Sequence, residues 1–526
     1  MSPFPNQAQA IRAWHATQDA LNLAQDAPAS GYTISIFFKN LLLQGLKIDD
    51  IVLDSKPTLT SLRDQLQFRL AALRFALRLE NDFIGNLGVD TQQVWQAMHS
   101  SKVYQQRLID LALATLCSEN LAPELCLETE AWSPRELKAT LQGSRNHALV
   151  FADAIMFHHE FYPLAVDAYV RDSQGFDAAR TNVMGVHVDW ISPDGMLKRI
   201  MFLDVEYNCL REVDLTSPLF PDSVQFHSLG KNEQKLHQHW SAAFSCLQVN
   251  PYAQSSLADD KAATLMAWEN MGVEIPAFMK LAEGDFEGAW RFVEAYREIV
   301  VKPNQSTEGD RVAYFKVGQE SFKTEFANHL EACWIHGDAI IQERRDGLIF
   351  RDTQSDKQHN LVLRLNLSFD GNRYRVDSGY AQLAKDTEHP AASSQGGRIV
   401  SPLEILDNLV SRTNPACPIF SMEAQDWMRI CDQAVWAVSL FRGLMLVGID
   451  VLLDVDLDGK IMPVFLEANP RPAGLCHSRL MDGYPDSCPA PNGVSLKLWD
   501  GLELLQDITP RQNLGTHKQT LFNKSL

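Results

Sequence analysis

Residues 447–475 read VGIDVLLDVDLDGKIMPVFLEANPRPAGL, and the reading of this stretch decides the fold of the C-terminal half. Two apolar runs flank an acidic, glycine-containing turn at 456–459, which predicts a β-hairpin. Pro470 and Pro472 forbid further ladder pairing, so the second strand must stop just before them. Side chains alternate along an extended strand, which puts Glu467 and Asn469 on one face, while Asp450 lies in the partner run. Three hard oxygen donors without His or thiolate suit Mg²⁺, an ion that keeps several waters and is commonly completed by substrate phosphates. An acidic hairpin on a solvated surface would carry the same letters, so the segments upstream decide between the two.

The chain has 526 residues, which ordinary domain sizes divide into roughly three or four units. Hydrophobic residues at 45% and charged residues at 21% describe a soluble globular protein with a full core. A net charge of -19, from 47 basic and 66 acidic side chains, opposes attraction to nucleic acid or anionic lipid, and neither partner is expected. The N-terminus lacks a basic start followed by an apolar core, and no run approaches bilayer-spanning length; a cytoplasmic location is expected. Nine cysteines, odd in number and never spaced C-x-x-C, read as reduced thiols without a zinc framework.

Residues 1–145 are expected to be mainly helical, with Leu62, Leu66, Leu70, Leu73 and Leu77 forming a stripe of helical period. From 146 to 257 shorter apolar runs alternate with Gly, Pro and Asp, the texture of an α/β unit. Within it Asp204 and Glu206 read as sharing one strand face, His158 and His159 as ordinary positions, and 215–229 as a long connection. DDKAATLMAWENMGVEIPAFMKL (259–281) predicts a helix capped by Asp259 or Asp260, with Ala263, Met266 and Ala267 inward, ended by Gly272 before a strand near Ile275. EIVVKP (298–303) is a strand carrying Lys302. In the polar loop after it Ser306, Thr307 and Gly309 could wrap phosphate oxygens. IIQERRD (340–346) turns polar at Gln342, Glu343, Arg344 and Asp346, as suits a hinge that pairs with a purine edge and a ribose. Arg364 falls in mid-strand, where a buried guanidinium needs an anion and a partly exposed one on an edge strand is the alternative, and Gly396 and Gly397 permit close backbone approach to a ligand. A helix over 422–444 leads into the hairpin.

Taken in order, these pieces resemble the ATP-grasp superfamily over residues 259–480, and within it the carboxylate-amine ligases that act on amino acids or small peptides. The resemblance implies an α+β fold in which two α+β lobes clamp MgATP, one over 258–345 and the other over 346–526. The helical region 1–145 and a small α/β unit, 146–257, would precede them, the latter as a pre-ATP-grasp or substrate domain. It implies Lys261 and Lys302 at the phosphates, with Ser306, Thr307 and Gly309 in the lid. Gln342, Glu343 and Arg344 would lie near the purine and Asp346 at the ribose. Asp450, Glu467 and Asn469 would hold Mg²⁺, with Mn²⁺ as the alternative ion, and Gly396, Gly397, Arg471, His477 and Ser478 would line the substrate. Gly448 stands where some of these ligases carry an arginine that contacts the transferred phosphate, so Arg364, together with Arg471, takes the catalytic arginine role.

The activity so implied is ATP-dependent amide formation from a small carboxylate and an amine through an acylphosphate, with ADP and phosphate released. A homodimer is left open. Two other readings stay open with it: a small-molecule kinase that stops at a phosphorylated product, and a nucleotide-binding regulatory or scaffold protein without turnover.

Overall fold

The structure is a computed structural model that describes most of residues 124–480 and a helix at 498–508. Of the positions singled out above, residues 1–123, 158–159, 306–310, 346, 393–396 and 476–477 lie outside the described residues. The chain divides into two compact units, Met1–Ala165 with Arg180–Pro221, and Val166–Ala179 with Asp222–Leu526.

In the first unit β1 (Glu124–Leu127), α1 (Pro134–Thr140), β2 (Arg145–Phe151), β3 (Thr181–His187), β4 (Leu197–Asp204) and β5 (Cys209–Leu219) build a sheet ordered β1-β5-β4-β3-β2. Helix α1 opens on a reciprocal cap between Ser133 and Glu136. Two expectations are corrected here. Strand β4 ends at Asp204 and Glu206 falls in the exposed turn after it, so the two do not share a strand face; Asp204 instead accepts a hydrogen bond from Arg211 Nε at 2.6 Å. Residues 215–229 are not a long connection, because β5 runs through Leu219 and the next strand starts at Ser223. The β-branched and apolar residues of that stretch outweigh Pro218, which sits next to the strand end where a missing N–H is tolerated.

The second unit begins with β6 (Ser223–Phe226), α2 (Glu233–Ala243), β7 (Leu247–Val249), α3 (Tyr252–Asp259) and α4 (Lys261–Asn270), β6 and β7 pairing in parallel. A four-stranded antiparallel sheet follows, from β8 (Phe278–Leu281), β9 (Glu298–Pro303), β10 (Ala313–Lys316) and β11 (Ala339–Glu343), in the order β10-β9-β11-β8. Helices α5 (Phe286–Ala295) and α6 (Phe322–Trp334) cover one of its faces, where Ile299, Val301 and Ile341 pack with Phe292, Phe326 and Leu330. The opposite face carries Val300, Lys302, Ile340 and Gln342, since Lys302 lies opposite Ile340 and Val300 opposite Gln342. One face is thus an apolar core, and the other carries the buried polar groups of Lys302 and Gln342.

A small sheet of β12 (Leu348–Arg351), β13 (Gln358–His359) and a later strand links to the main sheet of this unit. That sheet contains β14 (Leu361–Phe369), β15 (Tyr374–Leu383) and β16 (Arg398–Val400); β17 (Leu409–Ser411) closes the small one. After α7 (Ala424–Val438) come β18 (Leu446–Val455), β19 (Ile461–Asn469) and β20 (Arg479–Leu480), giving the order β16-β15-β14-β18-β19 with β20 on β15, and α8 (Leu498–Ile508) ends the described chain. Leu363, Leu365 and Leu367 of β14 join Val447, Ile449 and Val451 of β18 in a core against Trp427, Ile430 and Ala434 of α7. The alternate residues Arg364, Asn366, Asp450 and Gly448 therefore share the other face.

The hairpin is as the sequence predicts. Its turn closes with Asp456 N donating to Lys460 O at 2.9 Å, Asp456 Oδ1 accepts from the amides of Asp458 and Lys460, and Gly459 takes a φ of 80° that glycine supplies freely. Helix α4 is also as expected in its ends, with Asp260 accepting from Ala263 N at 2.9 Å and Gly272 at φ 72° beyond its last turn. Its inward face is a correction: Lys261, Ala262, Thr264, Leu265 and Trp268 are buried, whereas Met266 is 48% exposed. Trp268 sets that face, because its ring packs edge-on to Phe441 and Phe465 and its Nε1 donates to Ala437 O at 3.0 Å. The strand expected near Ile275 starts at Phe278, after Pro276.

Candidate active site

Five elements of the second unit bring charged groups to one place. Glu467 of β19 lies opposite Asp450 of β18, and the register shifts between Asp450 and Val451, which next pairs with Phe465. That bulge leaves Leu466 unpaired and turns Glu467 onto the face of Asp450 while Phe465 stays in the core. Glu467 Oε2 then meets two lysines, Lys261 Nζ from the first turn of α4 at 3.7 Å and Lys302 Nζ from β9 at 3.8 Å. Asn469 completes the edge, its amide nitrogen 3.5 Å from Asp450 Oδ2.

The anion that Arg364 requires is Asp450, its partner in the β14–β18 register. The guanidinium grips both carboxylate oxygens, Nη2 donating to Oδ2 at 2.9 Å and Nε to Oδ1, the fork of an ionised pair. Gly448 leaves room for this pair: a Cβ there would lie 2.8 Å from Pro472 Cβ and 3.1 Å from Arg364 Cδ. The space a side chain at 448 would need is filled by Pro472 and Arg364.

Electrostatics follow from burial and proximity. Burial pushes Glu467 up, but Lys261 and Lys302 together outweigh it and hold the carboxyl at about 2. Burial lowers Lys302, with Glu467 pulling the other way. Asp450 is pushed up by burial against the pull of Arg364, which is itself held firmly charged by Asp450. Three cations against two carboxylates leave one positive charge over, so the cluster attracts an anion.

Asn304, which the sequence reading passed over, fixes the lysine pair. Its Oδ1 accepts from Ala262 N at 2.9 Å, its carbonyl accepts from Lys261 N at 3.5 Å, and its own N–H donates to Asp338 O at 2.8 Å. One residue just past β9 thereby caps α4 and sets Lys261 beside Lys302. Asn304→Ala is expected to cost about 1 kcal/mol of stability, with Asn304→Asp, which keeps the acceptor oxygen, recovering most of it. Thermal melts on the two variants check this.

Near the far end of β11 the hinge residues are spread out. Gln342 is buried on the same sheet face as Lys302, and its Nε2 lacks a partner among the described residues. Glu343 pairs with Arg345 at 3.1 Å, and Arg344 lies over the Tyr314 ring at 4.3 Å while donating to Thr387 O. Gly397 is needed by its own loop, since a Cβ would meet Leu383 O at 2.7 Å and Ala392 O at 2.8 Å. Ser478 is buried and its hydroxyl accepts from Asn366 Nδ2 at 2.8 Å.

The structure does not bring Arg471 into the cluster. Its guanidinium is held by Asp259 Oδ1 at 2.5 Å and Glu233 Oε1 at 3.2 Å, and its Nη1 donates to His237 Nδ1 at 2.9 Å. Burial and the adjacent guanidinium push His237 down to about 3, so the ring is neutral in the fold. A base with a depressed folded pKa lets the unfolded chain take up the extra proton. Stability therefore falls as pH drops from about 6.5 toward about 3, by at most about 1.4 kcal/mol per pH unit from this group. His237→Gln is expected to remove that slope; urea melts of both proteins at pH 7 and pH 5 check it.

The donor set fits Mg²⁺. Two carboxylates and a carboxamide offer only oxygen, and among the described residues no group of three or more His, Cys, Asp or Glu side chains could hold a metal unaided. An ion here would be completed by water and by ligand oxygens.

No family model matches the sequence, and no curated protein does. Among solved structures the chain is similar to the VanG D-Ala:D-Ser ligase from Enterococcus faecalis, at 14% identity and a TM-score of 0.42 over 69% of this chain and 98% of that one. It is similar to the D-alanine-D-alanine ligase from Coxiella burnetii at 13% identity and 0.41, over 69% and 96%. With the D-cycloserine synthetase DcsG it shares 16% identity and a TM-score of 0.41, over 69% and 99%.

Proposed function

We propose that this chain is an ATP-dependent carboxylate-amine ligase of the ATP-grasp type, acting on amino acids or a small peptide. The observation that carries the reading is the meeting of Lys261 and Lys302, from a helix and a strand some way apart in sequence, on the one carboxylate, Glu467, that faces Asp450 and Asn469. A polyphosphate is the anion such a pair awaits, and it would displace Glu467 from the lysines toward the metal.

In this reading Lys302 and Lys261 neutralise the polyphosphate, and the face of the four-stranded sheet that carries Val300, Ile340 and Gln342 receives the base. Asp450, Glu467 and Asn469 would hold Mg²⁺, which when bound neutralises phosphate oxygens and draws charge from the transferring group. Arg364, fixed by Asp450, presents a permanent positive charge where the phosphoryl group passes. A carboxylate oxygen attacks the γ-phosphorus and ADP leaves. The amine then attacks the acyl carbon, and phosphate departs with the oxygen taken from the acid. Exclusion of water protects the acylphosphate in between.

The test is release of ADP and free phosphate across a panel of carboxylates and amines. Both products only when acid and amine are present support ligation. ADP without free phosphate would indicate a kinase, and tight nucleotide binding without turnover a scaffold.

A further inference from the structure

Asn250 lies between β7 and α3 with its backbone in the left-handed region, φ 54°, which Asn tolerates better than most residues. Its buried side chain uses the whole hydrogen-bonding capacity of an amide on two segments about 200 residues away. Oδ1 accepts from Met445 N at 2.6 Å and Leu446 N at 3.2 Å; Nδ2 donates to Leu446 O at 2.5 Å and to Pro470 O. With backbone N–H groups on one side and carbonyls on the other, only one orientation of the amide satisfies its partners. Ser255 Oγ donates to the carbonyl of Asn250 at 3.1 Å and ties it to α3.

Those two segments are the open ends of the hairpin. Leu446 begins β18, Pro470 directly follows Asn469, and the last cross-strand pair is Gly448 with Asn469. Beyond that pair Pro470 has no N–H to offer, so the ladder cannot continue. The Asn250 amide takes its place, joining the two strands next to the point where Asp450 and Asn469 face each other.

We propose that Asn250 is a positioning residue for the metal edge: by closing the open end of the hairpin it sets the spacing of Asp450, Glu467 and Asn469. The proposal rests on the ligase reading of that edge. A brace that served folding alone would leave ion affinity untouched once the protein is folded; a positioning residue would not.

The test is Mn²⁺ binding in the presence of ADP, read by the loss of the free-ion electron paramagnetic resonance signal, on full-length protein below its melting temperature. Asn250→Gly keeps the left-handed backbone and deletes the amide. Asn250→Asp keeps the shape and turns an oxygen toward two carbonyls, and it serves if the glycine variant does not fold. Either is expected to weaken Mn²⁺ binding by about tenfold or more, the usual effect of removing a group that orients metal ligands, while metal-free ADP binds within about twofold of wild type. Unchanged Mn²⁺ affinity in a folded variant, whatever its melting temperature, would overturn the proposal and leave the ligase reading standing. A wild-type protein that binds no Mn²⁺ with ADP would overturn the metal edge and this proposal with it.

Discussion

Glu467→Gln is expected to lower turnover by at least about a thousandfold while nucleotide affinity changes by less than about tenfold. The substitution removes the shared partner of Lys261 and Lys302, which lie 3.7 and 3.8 Å from it, and with it a ligand of the proposed metal. Without nucleotide the two buried ammonium groups are then left facing each other, so the free protein loses stability. A bound polyphosphate restores an anion to them, and the stabilisation by ADP should be larger in the variant than in wild type. The lysines hold the carboxyl below the ordinary carboxylate range, so its contribution is full above that range and is lost progressively as pH falls through and below it. Thermal melts with and without ADP, beside phosphate release, separate the two effects. Near-normal turnover would remove Glu467 from the metal edge.

Arg364→Met is expected to destabilise the protein by about 3 to 5 kcal/mol, because Asp450 remains buried without its guanidinium. Arg364→Lys should recover only part, since a single ammonium cannot grip both oxygens as the guanidinium does. Replacing both members, Arg364→Met with Asp450→Val, should bring stability back to within about 2 kcal/mol of wild type, as buried ion pairs often exchange for apolar groups at little cost. Turnover should not return. Urea melts and phosphate release on the three variants test the pair: a double variant with restored activity would show that Arg364 and Asp450 only support the fold.

The hairpin was legible because its information is local: turn chemistry at 456–459, period-two alternation and two prolines that stop the ladder. The need of Arg364 for an anion was legible too, from its place inside a strand. Its partner was not, since the pairing of β14 with β18 spans 86 residues and depends on tertiary register. The bulge at Leu466 left no mark in the letters, yet it aims Glu467 at the lysines.

The misreadings have the same origin. Helix α4 is rich in alanine, and its alanines and Met266 looked like an inward stripe. The contacts of Trp268 with Phe441 and Phe465 chose another face. Asn250 and Asn304 drew no expectation from the sequence. Their amides bind backbone groups from distant segments, and no spacing within a single chain announces that.

Ligation of an acid labelled with ¹⁸O in its carboxylate, once the panel has found a productive pair, tests the proposed chemistry most directly. Attack of the carboxylate on the γ-phosphorus followed by amine displacement transfers one labelled oxygen to the free phosphate, and mass spectrometry of that phosphate should find it. Phosphate released without label, in step with amide formation, would contradict the acylphosphate route.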